Sequence, residues 1–200
     1  MATATTAYDS VRYASANRWD PRHLATLRRL LAPTPGMRLL EVGCGRGHLL
    51  RRVQDQGIDA IGIDVNPEAA EIAVTRNVRS MSATDLEFPD ASFDQVYSMH
   101  AIEHIPDAEA AIAEMSRVVR PGGSVMLVYP AEPVRGLYAV PSAVILHGNP
   151  LRAREVHCHR FTPRRLTKLA QAAGLTEVIS EFHLLSSPEF ATLLVRPGRR

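Results

Sequence analysis

Two hundred residues suit one domain, and 46% hydrophobic with 22% charged residues is the balance of an ordinary globular chain. Twelve glycines and fourteen prolines exclude a collagen-like chain, two cysteines exclude a disulfide framework, and no apolar run reaches the roughly 18 residues of a membrane helix. A net charge of +2, with Arg196, Arg199 and Arg200 gathered at one end, is a weak footprint for nucleic acid.

The opening MATATTAYDS lacks the charged start and apolar core of a secretory signal, so the expected setting is cytoplasmic. Residues 1–20 read as an arm preceding a single domain that fills 1–200. Leu24, Leu27, Leu30 and Leu31 recur at helical spacing, which predicts a helix over Pro21–Leu31. MRLLEV, residues 37–42, reads as a strand buried on both faces. A glycine loop and a helix over His48–Gln56 follow, then a strand at IDAIGI, residues 58–63. Asn66-Pro67 opens a helix expected to contain Ala70, Ile72, Ala73 and Val74.

Strands are expected at Val78–Met81 and Phe93–Ser98. Asp107 caps a helix whose inner face is Ala111, Ile112, Met115, Val118 and Val119, with Pro121-Gly122-Gly123 as its terminator. Ser124–Tyr129 is a fifth strand. Residues 130–160 show no clear period, as a long functional loop would. Thr162–Ala173 is a helix stopped by Gly174, and Leu175–Phe182 and Phe190–Val195 are closing strands. Strands alternating with helices predict a parallel sheet with crossover helices.

Glu41-Val-Gly43-Cys44-Gly45-Arg-Gly47 lies between a buried strand and a helix, where ligands of open parallel sheets bind. A phosphate loop would end in Gly-Lys-Ser/Thr, and a dinucleotide fingerprint would need glycine at position 48, which is His48. The remaining reading is a nucleoside ligand without phosphates, with Asp64 at the end of the second strand to hold a ribose.

LLEVGCGRGHL, GIDVNP, SATDLEFPDASFDQVYS and RVVRPGGSVMLV stand in order over about residues 37 to 130, and HRFTPRRLTKLAQAAGLTEV closes the chain. Together they resemble the class I S-adenosylmethionine-dependent methyltransferases, especially the small-molecule group like the ubiquinone and menaquinone biosynthesis enzymes. The resemblance implies a three-layer, Rossmann-like α/β fold. Its sheet would be mostly parallel and seven-stranded, in the order 3-2-1-4-5-7-6, with an antiparallel last strand. It implies methyl transfer from S-adenosylmethionine to a small organic acceptor at O, N or C, releasing S-adenosylhomocysteine. The partner would be a small molecule, not nucleic acid or a membrane. Rival readings are a cyclisation in the same cofactor site, or a non-catalytic cofactor-binding subunit.

By position, the resemblance implies that the backbone of Gly43, Cys44, Gly45 and Gly47 faces the methionine part of the cofactor, with Glu41 near its amino group. Asp64 would take the ribose hydroxyls and Val65 would pack on the adenine. Asp85 would accept from the adenine amino group, with Leu86 beside the ring. Ser98 and Met99 would border the sulfonium.

An alcohol or amine acceptor also needs a base, most often histidine. His100-Ala-Ile-Glu103-His104 matches a zinc-protease signature, but Pro106 breaks the helix that signature requires. Some relatives carry E-x-x-E-H there and hold a divalent metal. Histidine at the first position argues for no metal in this chain and makes His100 a candidate base, with Glu103 and His104 bonded within the turn. His157 and His159 alternate on an extended stretch, so both are expected on one face. No second Cys/His pair completes a zinc set around Cys158. His159 is the second candidate catalytic residue, delivered by residues 130–160 acting as an acceptor lid whose apolar side is Tyr138, Val140, Pro141, Val144, Ile145 and Leu146. Tyr8, Tyr13 and Trp19 are expected to close the other side.

Overall fold

The computed structural model describes residues 20–184 and 187–198, so the expected arm with Tyr8, Tyr13 and Trp19 lies outside the described residues. Seven strands form one sheet: β1 (Arg38–Val42), β2 (Asp59–Asp64), β3 (Val78–Ser80), β4 (Phe93–Met99), β5 (Val119–Pro130), β6 (Thr176–Leu184) and β7 (Pro188–Val195). Their order is β3-β2-β1-β4-β5-β7-β6, as the resemblance implies. The first five are parallel to one another, and β7 runs antiparallel to both β5 and β6.

Side-chain alternation along β1 sends Leu39 and Leu40 into opposite layers, and both are inaccessible to solvent. On one side, Leu39 meets Leu27 and Leu31 of helix α1 (Pro21–Leu31) and Leu49, Leu50 and Val53 of α2 (His48–Gln54). On the other, Leu40 joins Ile112 and Met115 of α4 (Ala108–Val118) and Leu166 of α7 (Pro163–Ala172). Each such buried leucine contributes about 1.5–3 kcal/mol. Because β2 and β4 lie on opposite sides of β1, the chain leaves the sheet in two directions, and a crevice opens at the carboxyl ends of β1 and β4. Among the described residues no helix is long and apolar enough to cross a membrane.

Three elements differ from the sequence expectation. Helix α3 spans only Pro67–Glu71, so Ile72, Ala73 and Val74 lie beyond it. The Val74 amide donates instead to the Arg46 carbonyl at 2.9 Å, and β-branched Ile72, Val74 and Thr75 favour leaving the helix. Pro121-Gly122-Gly123 does not end α4. That helix stops at Val118, and Val119 is already extended and paired with Phe93. The Pro-Gly-Gly stretch is an irregular part of β5, tied down where Gly122 N–H donates to Arg196 O and Arg196 N–H to Gly123 O.

Residues 130–160 are not an unpatterned loop. They form α5 (Val140–His147), a 3-10 turn over Pro150–Arg152 and α6 (Ala153–Val156). Ala139, Ala143, Ala153 and Val156 make a small core of their own, while Val140 and Val144 are exposed. The buried stripe is built from alanine, so the bulky residues expected to mark it do not.

Candidate functional site

The glycine loop turns sharply off β1. Gly43 and Cys44 N–H both donate to Ile63 O, and Gly47 N–H donates to Cys44 O. Gly43 has φ +76, and a Cβ there would stand 2.2 Å from Ala101 Cβ, so the loop needs glycine for conformation and for space. Asp64 fastens the loop to the end of β2: one carboxylate oxygen accepts from Gly45 N–H at 2.8 Å and the other from Asn66 N–H at 2.9 Å. A carboxylate has lone pairs left after two such bonds.

The loop borders a cavity of about 540 Å³, within the range of small-molecule sites. Glu41, Gly43, Cys44, Asp64, Val65, Met99 and His100, all candidate site residues, line it. Glu41 is buried, and Tyr97 Oη donates to it at 3.1 Å. Burial raises its carboxyl to about 8 against that bond, with Asp64's charge adding to the rise. Glu41 is therefore mostly protonated at neutral pH. Burial also pushes the Cys44 thiol up, which makes it a packing residue and not a nucleophile. Val65 is half exposed at the rim.

Five residues expected on the cofactor side fall elsewhere. Gly45 and Gly47 lie behind the wall; Gly47 caps α2 in the left-handed conformation. Ser98 is inaccessible between β1 and β5, because β4 runs one residue further and Met99 is its first cavity residue. Asp85 is exposed and Leu86 is in the core, its N–H donating to Glu114. The chain leaving β3 meets the cavity earlier, at Ser82, Ala83 and Thr84, with Ser82 Oγ and Thr84 Oγ1 2.8 Å apart. Counting two residues past the end of β3 locates them.

The histidines divide in two groups. His100 sits at φ +50 and turns its ring to Glu189, with Nε2 2.8 Å from Oε2; its Nδ1 is 3.5 Å from Glu103. Burial lowers its pKa, but Glu103 and Glu189 outweigh this and raise it to about 10. His100 is thus an imidazolium at neutral pH with no lone pair to accept a proton, which removes it as the resting base. His23 of α1 also reaches Glu189 at 3.2 Å.

The second group is Glu103, His104 and His157, which all line the cavity. His104 Nδ1 is 2.8 Å from Val156 O, and a carbonyl only accepts, so Nδ1 carries the proton. His157 Nδ1 is 2.9 Å from Glu132. His159 does not share a face with His157. Its Nε2 is 2.9 Å from Pro106 O, its Nδ1 faces Arg165, and it is not on the cavity wall. The stretch twists out of extended geometry because the His159 amide is drawn to Glu103 O.

Among the described residues, two groups bring possible metal ligands within 4.8 Å of one another: His23, His100 and Glu189, and Glu103, His104 and His157. His23, Glu132 and Glu189 carried no local motif. Glu189 is a lone acid in an otherwise apolar strand, and a charge in such a setting is a usable signal.

A family model described as a methyltransferase domain matches residues 16–181. The chain belongs to this methyltransferase family. Over 178 residues it is 32% identical to a Mycolicibacterium smegmatis protein named "Probable S-adenosylmethionine-dependent methyltransferase", covering 85% of this chain and 65% of the relative. Over 155 residues it is 31% identical to the ubiquinone biosynthesis O-methyltransferase of Sinorhizobium fredii, covering 72% and 61%. The chain thus spans somewhat under two thirds of these relatives' length. Its fold matches that of the Burkholderia thailandensis 1,6-didemethyltoxoflavin-N1-methyltransferase with bound 1,6-didemethyltoxoflavin and S-adenosylhomocysteine. There the TM-score is 0.65 at 18% identity, covering 88% of this chain and 77% of that one.

Proposed function

We propose that this methyltransferase-family chain transfers a methyl group from S-adenosylmethionine to a small organic acceptor, with a hydroxyl oxygen as the receiving atom. The observation that carries the reading is one cavity holding a buried carboxyl, Glu41, beside the glycine loop and a rim carboxylate, Asp64, at the end of the next strand. Among the described residues its only lysine or arginine is Arg46, whose Nε donates to Ile72 O. Such a wall suits a ligand with an ammonium and a ribose better than one with phosphates. The oxygen acceptor is supported by the names of the ubiquinone biosynthesis relatives.

When bound, the cofactor supplies a methyl group already activated on a sulfonium. Glu41 would accept from its ammonium, and Asp64 would take the ribose hydroxyls. Val65 offers an apolar face to the base, and Ser82–Thr84 a polar edge. Met99 and His100 border the reacting centre. Tyr138 and Ser142 place the 130–160 segment on the same cavity, so that segment is assigned the acceptor side. Alignment of the acceptor in a water-poor cavity is then the main task of the protein.

The test is product analysis with S-adenosylmethionine and a panel of phenols, catechols and amines. Methylated product and S-adenosylhomocysteine should appear mole for mole, and Asp64→Ala should lose most activity at low cofactor concentration. Conversion of an acceptor without S-adenosylhomocysteine would mark a rearrangement enzyme instead.

A further inference from the structure

We propose that His157, with Nδ1 held against the Glu132 carboxylate, is the catalytic base that takes the acceptor's proton, and that Glu132 is its positioning residue. The proposal rests on the oxygen-acceptor reading above.

Five histidines line the cavity: His23, His48, His100, His104 and His157. His100 is held as a cation between two carboxylates. His23 is committed to Glu189. His48 opens α2, directly behind the glycine loop, on the cofactor side. His104 Nε2 lies 3.8 Å from Glu103, and burial lowers its basicity. His157 differs from all four in having a dedicated carboxylate behind it.

That carboxylate is built in. Glu132 is buried just after β5 and accepts from Gly136 N–H at 3.0 Å and Tyr138 N–H at 2.8 Å. Gly136 has φ +84, and a Cβ there would lie 2.9 Å from the Ala153 carbonyl carbon and oxygen, so the loop around Glu132 closes only with glycine. Burial alone would raise the Glu132 pKa, but His157 and the two amides reverse this and keep it ionised. The His157 amide donates to Ala153 O, which fixes the backbone that carries the ring.

His157 Nδ1 lies 2.9 Å from the Glu132 carboxylate without the alignment of a hydrogen bond, and the facing charge favours the proton on Nδ1, which leaves the Nε2 lone pair for the cavity. It also stabilises the imidazolium that forms, as the acid of a catalytic triad does. The acceptor O–H proton moves to Nε2. The oxygen lone pair forms the new carbon–oxygen bond, the carbon–sulfur pair stays on sulfur as a neutral thioether, and the imidazolium returns its proton to solvent. The charged groups facing His157 are Glu132 on one side and Glu103 and His104 of the turn after β4 on the other, with His100 beyond Glu103.

Nitrogen-15 NMR of the histidine rings in the full chain at pH 7.5, with His157→Gln to identify the signal, should find the His157 ring proton on Nδ1. With 3,4-dihydroxybenzoate as the acceptor probe, His157→Gln should lower turnover about 10²–10⁴-fold and leave S-adenosylhomocysteine affinity within about twofold. Glu132→Gln should lower turnover and leave the acceptor KM nearly unchanged, because Glu132 acts through the His157 ring and touches no acceptor. Glu132→Asp should restore part of that turnover.

An Nε2–H tautomer at pH 7.5 overturns the proposal without reference to any acceptor. Unchanged turnover in His157→Gln also overturns it. Loss of turnover on chelation, restored by magnesium or zinc, overturns it in favour of a metal on Glu103, His104 and His157. A wild-type chain that binds S-adenosylhomocysteine but methylates no phenol defeats the oxygen-acceptor reading, and the proposal with it.

Discussion

Replacing Glu189 with leucine is expected to destabilise the fold by about 3–5 kcal/mol, the cost of removing one partner from a buried ion pair. Glu189 is 0% exposed and accepts from His100 at 2.8 Å and His23 at 3.2 Å. It therefore ties α1 and the end of β4 to β7. The effect depends on pH. Burial raises the Glu189 pKa, but His100 and His23 outweigh this and hold it at about 2, against an ordinary 4.5. Its contribution is present above 4.5 and lost as pH falls through about 2. His100 is raised from 6.5 to about 10, so its contribution is full below 6.5 and lost as pH rises through about 10. Urea unfolding should show the largest difference between wild type and Glu189→Leu near pH 5.5, and a smaller one at pH 10. An equal difference at both values would mean that the pair is not the source.

Gly43→Ala is the second large effect. A left-handed alanine costs about 1–2 kcal/mol, and overpacking a further 1–3. The new Cβ would stand 2.2 Å from Ala101 Cβ, while Ala101 Cα is 3.7 Å away. Adding Ala101→Gly removes the clash and leaves the conformational strain. The double variant should thus recover the overpacking part, and thermal unfolding of the four proteins of the cycle measures it. No recovery in the double variant would place the fault elsewhere in the loop.

Element positions were legible in local signals, namely apolar runs and the glycines and prolines that punctuate them, whereas the sheet order and the cofactor-side residues were legible only through the family resemblance. Glu41, Gly43, Cys44, Asp64 and Val65 line the cavity. Errors arose where a long-range contact overrode a local pattern. The Arg46 carbonyl cut α3 short, and pairing of Val119 with Phe93 converted the end of α4 into strand. Asp85 follows from the resemblance alone, and the strand that delivers the chain to the cavity ends five residues earlier, at Ser80. Alternation implies one face for His157 and His159, and the bond from the His159 amide to Glu103 O abolishes it. Glu132, His23 and Glu189 act across distances in sequence that no motif records.

The central claim is that the cavity is an S-adenosylmethionine site in which Glu41 meets the ammonium, and calorimetric titration with S-adenosylhomocysteine between pH 6 and 8 tests it most directly. Free Glu41 titrates at about 8, and a bound ammonium lowers that value, so binding must release a proton below pH 8. The affinity should rise with pH, by up to about tenfold per unit, and the heat should vary with the ionisation enthalpy of the buffer. Both effects should vanish in Glu41→Gln, and Asp64→Ala should weaken binding by about 1.5–3 kcal/mol. Binding of NAD with none of S-adenosylhomocysteine, or binding of S-adenosylhomocysteine indifferent to both carboxylates, would contradict the account.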